Sequence, residues 1–129
     1  MRTISLAAAL TLTGSAFAAD PAALLSDYQS EARKADAAFA PSAQRGAQFF
    51  TARHGNDWSC SSCHGSPPTG EGKHATTGKR IAALSPAANP ERFTAEAKTE
   101  KWFRRNCNDV LGRACTAAEK ADVLAYLLQ

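Results

Sequence analysis

The chain has 129 residues, which is enough for one small domain, and its 15 Lys and Arg residues nearly balance its 12 Asp and Glu residues. This balance gives no reason to expect a nucleic acid or an anionic membrane surface as a partner. A domain of this size buries roughly two-thirds of its unfolded-chain surface, so a bound cofactor would add substantially to its core.

Residues 1–18 have the pattern of a secretory signal peptide. Arg2 supplies the positive end, an apolar run follows over 4–12, and Ala16-Phe17-Ala18 supplies the small residues of a cleavage site. The apolar run is too short to cross a bilayer of about 30 Å as a helix. We therefore predict export to the periplasm, with residues 19–129 as the mature domain.

Helical periodicity dominates after this leader, and no run of alternating apolar and polar residues predicts a strand. We expect an all-helical domain. A proline start and an apolar stripe predict a first helix over 21–39, and a second helix with the small residue Gly46 is predicted over 42–53. The segment 65–79 is rich in Gly, Pro, Ser and Thr and is predicted to be a loop.

Two further helices are predicted in the last third of the chain. One begins with the capping pattern Asn89-Pro90-Glu91 and continues over 99–111, with Trp102, Phe103 and Val110 facing inward. Gly112 ends it. The capping box Thr116-Ala-Ala-Glu119 then begins a final helix; its predicted apolar face comprises Ala121, Val123, Leu124, Leu127 and Leu128.

Cys60-x-x-Cys63-His64 is the attachment motif of c-type haem. Two thiols one helical turn apart can each form a thioether with a porphyrin vinyl group, and the adjacent histidine then faces the iron as proximal ligand. A thioredoxin-like redox pair would need a strand-helix-strand setting, and a zinc site would need a fourth ligand; the sequence offers neither. The motif predicts one covalent haem c. Gly46-x-x-x-Phe50 before it and Leu124-x-Tyr126-Leu127 at the end resemble class I cytochromes c, whose first and last helices cross beside the haem. This resemblance implies a class I cytochrome c-like helical fold, with residues 19–129 as the cytochrome c domain.

The sixth iron position cannot be closed in the usual way, because the only methionine is Met1 and it lies in the leader. Ordinary class I cytochromes use a methionine here. The remaining candidates are His74, His54, a lysine, another oxygen or amide side chain, or an open site. Composition does not choose among them.

Cys107 and Cys115 are the two cysteines outside the motif, and in an oxidising compartment they are expected to form a disulfide. Eight residues span roughly 12 Å in a continuous helix, well beyond the Cα separation of about 4.4–6.8 Å that a disulfide allows. The helix must therefore end between them, and Gly112 supplies the means.

The segment EKWFRRNCNDVLGRACT, residues 100–116, resembles the sphaeroides haem protein family, which are exported monohaem cytochromes c. The likeness extends from about Pro21 to the C-terminus and includes GKRIAALSPAANPERF at 78–93. It is most specific in Arg105-Asn106-Cys107-Asn108 and in Gly112-Arg113-x-Cys115. His74 matches nothing in the family pattern and stays a rival ligand.

The resemblance implies that Asn106 is the sixth ligand of the oxidised haem. It also implies a high-spin reduced haem that binds oxygen, carbon monoxide or nitric oxide, with a dihaem cytochrome c and a membrane cytochrome b as electron partners. An amide oxygen is a weak, hard ligand that prefers ferric to the softer ferrous iron, which agrees with release on reduction. The disulfide would then brace the backbone beside Asn106, in addition to any plain structural role.

Other interpretations stay open. The chain could be an ordinary six-coordinate electron-transfer cytochrome c or, more remotely, a thiol-disulfide oxidoreductase, and whether it also reduces oxygen or nitric oxide is not fixed. Lys79 is either a solvated lysine or a contact to a haem propionate, while Trp102 and Phe103 are expected to pack against the porphyrin or the last helix. We expect a monomer.

Overall fold

The computed structural model describes residues 20–129, so the predicted signal peptide lies outside the described residues. Within this range there are five helices and one short antiparallel strand pair. The helices are α1 (Pro21–Ala32), α2 (Ala43–Thr51), α3 (Ser61–His64), α4 (Glu96–Leu111) and α5 (Ala117–Leu127). The strands are β1 (Gly72–Lys73) and β2 (Arg80–Ile81), with Gly72 opposite Ile81.

The packing centre of the domain is α5, which lies against both α1 and α2. Two clusters of buried side chains share it: one contains Leu24, Tyr28, Ala121 and Leu124, and the other contains Phe50, Val123 and Leu127. The apolar face predicted for the last helix is therefore correct, with Leu128 partly buried at its end.

Helices α2 and α5 cross at Gly46. A Cβ atom on Gly46 would lie 1.9 Å from the backbone oxygen of Asp122, so only glycine permits this approach. Asp122 also fixes the start of α2, because its carboxylate accepts hydrogen bonds from the Ser42 backbone N–H and from the guanidinium of Arg45. The small residue at position 46 thus lets α2 and α5 pack closely.

The predicted boundaries of the first elements need two corrections. The first helix ends at Ala32 instead of continuing to residue 39, because the chain turns and the Arg33 guanidinium donates to the Phe39 carbonyl at 2.9 Å. The segment predicted as loop contains β1 and part of a tight turn in which the His74 N–H donates to the Lys79 carbonyl at 2.8 Å. Strands of two residues are too short to leave an alternating sequence pattern.

The helix predicted from Asn89 does not form. Residues 86–93 make turns instead, and Phe93 has a left-handed φ of 61°, which interrupts helical geometry before α4 begins at Glu96. The capping interaction of Asn89 does exist, since its side chain accepts from the Glu91 N–H. It closes a turn, and the second amide atom of Asn89 donates to the Ala83 carbonyl of the preceding loop.

The connection from α4 to α5 follows the sequence prediction. Gly112 ends α4 in the left-handed conformation at φ 73°, and Thr116 and Glu119 form the reciprocal capping box at the start of α5. A disulfide joins Cys107 of α4 to Cys115 in this connection, with a Cα separation of 5.6 Å. Among the described helices, none has both the length and the apolar content needed to cross a bilayer.

One inward prediction on α4 is wrong. Val110 is buried, and Phe103 packs against both core clusters, but Trp102 is 43% exposed. The Arg105 guanidinium lies over its indole ring, 5.6 Å from the ring centroid. Trp102 therefore does not face the protein interior, and its expected packing against the porphyrin stays a prediction.

Candidate haem site

The motif Cys60-x-x-Cys63-His64 folds as one helical turn, because the preceding serine starts a helix. The buried Ser59 hydroxyl accepts from the Ser62 N–H at 3.1 Å, and the Ser62 hydroxyl accepts from the Ser59 N–H at 3.0 Å. Gly65 ends the turn at φ 74°. The two thiols are thus held one turn apart, as thioether formation with two vinyl groups requires.

Both motif cysteines are free thiols and both are half-buried. Cys60 packs beside the cluster of Phe50, Val123 and Leu127, and burial raises the pKa of its thiol to about 11. Catalytic thiols of disulfide oxidoreductases have a lowered pKa, because the thiolate is the nucleophile. The environment of Cys60 therefore opposes the thiol-disulfide oxidoreductase alternative.

His64 is held as a neutral imidazole. Burial, and to a smaller extent the positive charge of Arg92, lower the pKa of this histidine to about 4. Its Nδ1 is buried and has no hydrogen-bond partner within the described chain. A neutral imidazole is the form that binds a metal.

Arg92 is a member of the site that sequence reasoning did not identify. Its half-buried guanidinium donates to the carbonyls of Ala83 at 2.9 Å and Ala82 at 2.6 Å, and it forms no ion pair with a carboxylate of residues 20–129. A partly buried cation without an anionic partner fits a cofactor that brings carboxylates, as a haem brings two propionates. No spacing rule points to Arg92 because the loop that positions it is irregular.

The other two histidines are engaged elsewhere. His54 Nε2 lies 2.8 Å from the Phe49 carbonyl, and its ring packs on that of Phe49 with centroids 4.5 Å apart. His74 Nδ1 accepts from the N–H groups of Thr76 at 3.3 Å and Thr77 at 3.2 Å, which places its proton on Nε2. Both sets of contacts disfavour these histidines as iron ligands.

Asn106 lies on α4, half-buried, one residue before the disulfide. Within the described chain, its side-chain amide makes no hydrogen bond, in contrast to Asn56 and Asn89, whose amides are engaged. The exposed Trp102 is one helical turn before it. Lys79, the other suggested haem contact, is exposed in the turn between the two strands.

These residues fit a haem better than a metal ion bound by protein alone. Among residues 20–129, no three His, Cys, Asp or Glu side chains come together as a metal site. A porphyrin supplies four ligands itself and needs one or two from the protein. The neutral histidine can supply such a ligand, the two free thiols can attach the porphyrin, and the unpaired cation can face its carboxylates. The individual roles of Cys60, Cys63, His64 and Asn106 stay predictions.

The helical fold around a Cys-x-x-Cys-His turn defines a class I cytochrome c-like protein, and comparison with known proteins agrees. The chain is 46% identical over 123 residues to the cytochrome c-type protein SHP of Cereibacter sphaeroides, covering 90% of each chain. A structure of oxidised SHP, described as an oxygen-binding cytochrome c, matches 84% of this chain and 96% of its own at a TM-score of 0.74 and 42% identity.

A second relative has the same fold. The solution structure of cytochrome c'' from Methylophilus methylotrophus, described as giving insights into the structural basis of haem-ligand detachment, matches at a TM-score of 0.74 and 39% identity, over 84% of this chain and 91% of that one. Residues 36–127 match the family described as Domain of unknown function (DUF1924). The chain belongs to the SHP family, and its cofactor is a covalently attached haem c.

Proposed function

We propose that this chain is an exported, periplasmic monohaem cytochrome c whose ferric haem is ligated by Asn106 and opens on reduction to bind oxygen, nitric oxide or carbon monoxide. It takes electrons from partner cytochromes, a dihaem cytochrome c and a membrane cytochrome b by resemblance. The single observation that carries the proposal is the free, half-buried amide of Asn106 in a domain that has no methionine after residue 1.

The residues that would hold the haem have separate tasks. Cys60 and Cys63 would form the two thioethers, His64 would supply the proximal nitrogen, and Arg92 would balance the charge of the propionates. The haem would supply a one-electron couple and an iron site for a sixth ligand. Asn106 would offer its amide oxygen to ferric iron, and the softer ferrous iron would hold it less well.

The relatives support the two parts of this proposal. SHP is described as oxygen-binding, and cytochrome c'' is described in terms of haem-ligand detachment. A weak amide ligand explains how one chain can do both, because losing it on reduction leaves a position for a gas. The competing proposal, an ordinary six-coordinate electron-transfer cytochrome c, needs a ligand that stays bound to ferrous iron, and His54 and His74 are both engaged elsewhere.

Substitution of Asn106 tests the proposal directly. Asn106→Ala should convert the ferric protein to five-coordinate or water-ligated haem and change the ferrous absorption spectrum little. The midpoint potential should rise, by about 59 mV for each tenfold of ferric preference that is lost in a one-electron couple. Ferric and ferrous spectra with and without carbon monoxide measure the two changes in ligation, and a redox titration followed by absorption measures the midpoint potential.

Asn108→Ala is the matched control, because it removes an exposed asparagine two residues further along the same helix. It should retain the wild-type spectra. A low-spin ferrous spectrum that ignores carbon monoxide in the wild-type protein would instead favour the six-coordinate electron carrier. If that spectrum disappeared in His74→Ala but survived in Asn106→Ala, His74 would be the ligand.

A further inference from the structure

The turn before the haem motif is joined to the end of the helix that carries Asn106. The Asn56 amide nitrogen donates to the carbonyls of Asn108 at 3.3 Å and Asp109 at 3.0 Å, and its backbone N–H donates to the Val110 carbonyl at 3.2 Å. These carbonyls belong to the last four residues of α4, where the helix has too few N–H donors of its own. The Asn108 carbonyl also accepts from the Gly112 N–H at 3.0 Å. One residue therefore caps most of the C-terminal end of α4.

The backbone at Gly55 and Asn56 also lies close to the end of α4. A Cβ atom on Gly55 would lie 3.1 Å from the Leu111 carbonyl oxygen, and one on Gly112 would lie 3.7 Å from the Asn56 side chain. The backbone around Gly55 thus packs directly on the helix end. No covalent bond joins these segments, which are 52 residues apart in sequence.

The turn itself is fixed on its other side. The His54 N–H donates to the Trp58 carbonyl at 2.9 Å, and the Asp57 N–H donates to the His54 carbonyl at 2.8 Å. Asp57 has a left-handed φ of 60°, and the His54 ring is held by Phe49 of α2. Ser59, which starts the motif helix, follows directly. The turn over 54–58 is therefore a rigid connection from the Cys60–His64 motif to the last turn of α4.

We propose that Asn56 is a positioning residue for Asn106. The hydrogen bonds of Asn56 end on the residues that follow Asn106 within one helical turn, so they set where α4 sits relative to the proximal side of the haem site. A weak ligand binds only if its helix is held in place, since its own bond to iron contributes little to that placement. This inference rests on the proposed role of Asn106 as ferric ligand.

The test uses two variants of the complete haem protein. Asn56→Ala removes the two side-chain hydrogen bonds, and Asn56→Asp keeps the side-chain size while replacing the donor with a carboxylate that the helix carbonyls repel. Both keep the backbone bond to Val110. We expect the ratio of five-coordinate or water-ligated to asparagine-ligated ferric haem to rise by about threefold to tenfold, in line with the net strength of one to two hydrogen bonds.

The ferrous spectrum should stay unchanged, and the midpoint potential should rise by about 59 mV for a tenfold change. Ser30→Ala is the control, since it also removes a hydrogen bond from a side chain to a backbone carbonyl, here that of Ser26 in α1, away from α4 and from the haem motif. It should leave the ferric spin state unchanged. If one Asn56 variant does not fold, the other provides the measurement.

The double variant with Asn106→Ala separates the possible failures. If Asn56 acts through Asn106, the Asn56 substitutions should have no further effect on the ferric spectrum once Asn106 is absent. An equal effect in both backgrounds, or wild-type ferric spectra in both single Asn56 variants while Asn106→Ala changes them, would overturn the inference alone. Wild-type spectra in Asn106→Ala would overturn the proposed function, and the role of Asn56 with it.

Discussion

The three candidates for the sixth iron ligand, Asn106, His54 and His74, differ in the contacts of their polar side-chain atoms. Those contacts determine which side chain is free to bind a metal. His74 Nδ1 receives two backbone N–H groups, and His54 Nε2 faces a backbone carbonyl. The Asn106 amide has no such partner within the described chain. Sequence alone could name all three residues but could not rank them, because the partners of His54 and His74 come from local turns that leave no pattern in composition. Only the family resemblance favoured Asn106.

Glu119 makes a pH-dependent contribution to the stability of the fold. Two hydrogen-bonded contacts from the Arg113 guanidinium, at 2.7 and 2.9 Å, hold the pKa of this carboxyl below its usual value. A lowered pKa means that the ion pair stabilises the fold above the unfolded-state pKa of about 4.3 and that this stabilisation is lost as pH falls through the folded-state pKa.

Glu119→Gln keeps the capping box but removes the charge, so the variant should be less stable than wild type by about 0.5–1 kcal/mol at pH 7. The difference should vanish in acid, below the folded-state pKa. Urea unfolding of the haem protein at a series of pH values measures this. Arg113→Gln should reproduce the loss and add nothing in the Glu119→Gln background; a stability difference that persists at low pH would contradict the argument.

At the scale of elements, sequence signals were reliable where the interaction is local. The capping box at Thr116 and the glycine end of α4 involve residues a few positions apart, and both are present. The Asn89 pattern was equally local but did not start a helix, because left-handed Phe93 lies between it and α4. Three hydrogen bonds from Asn89 and Arg92 to loop carbonyls accompany that turn, and such tertiary contacts cannot be inferred from propensity.

The close crossing of α2 and α5 predicts that a larger residue at position 46 destabilises the fold. In Gly46→Ala the new methyl group would overlap the Asp122 backbone, which cannot rotate away as a side chain could. Alanine favours a helix over glycine by about 1 kcal/mol, but the overlap should outweigh this gain and lower the free energy of unfolding by about 1–3 kcal/mol. Urea unfolding of the haem protein gives the free energy of unfolding.

Gly70→Ala is the matched control for that measurement, because no atom lies within 4 Å of a Cβ atom built there. It should change the free energy of unfolding by less than about 0.5 kcal/mol. Similar effects from the two substitutions would contradict the argument, since they would show that α2 and α5 can separate to accept a methyl group.

For the whole molecule, the fold class and cofactor were predictable because the attachment motif, the missing strand pattern and the order of helices all agreed. The placement of α4 was not. Its contacts join residues that are far apart in the chain: Tyr28 donates to Glu100 at 2.5 Å, Lys120 donates to the same carboxylate at 2.7 Å, and Asn56 caps the helix end. Long-range polar contacts of this kind determine where α4 lies in the domain, and no spacing rule reveals them.

Covalent haem attachment supplies the last prediction, because it involves the whole domain. Cys60→Ala together with Cys63→Ala should give an exported chain without covalent haem, detected as the absence of a pyridine-haemochrome spectrum after acid extraction. A cofactor that binds only the folded state stabilises it, and in so small a domain the porphyrin forms much of the core. Circular dichroism of the variant should therefore show reduced helix content.

Cys107→Ser together with Cys115→Ser removes as many cysteines but leaves the motif intact, so that variant should retain covalent haem. Covalent haem in the Cys60 and Cys63 double variant would refute the assignment of these two thiols as attachment sites.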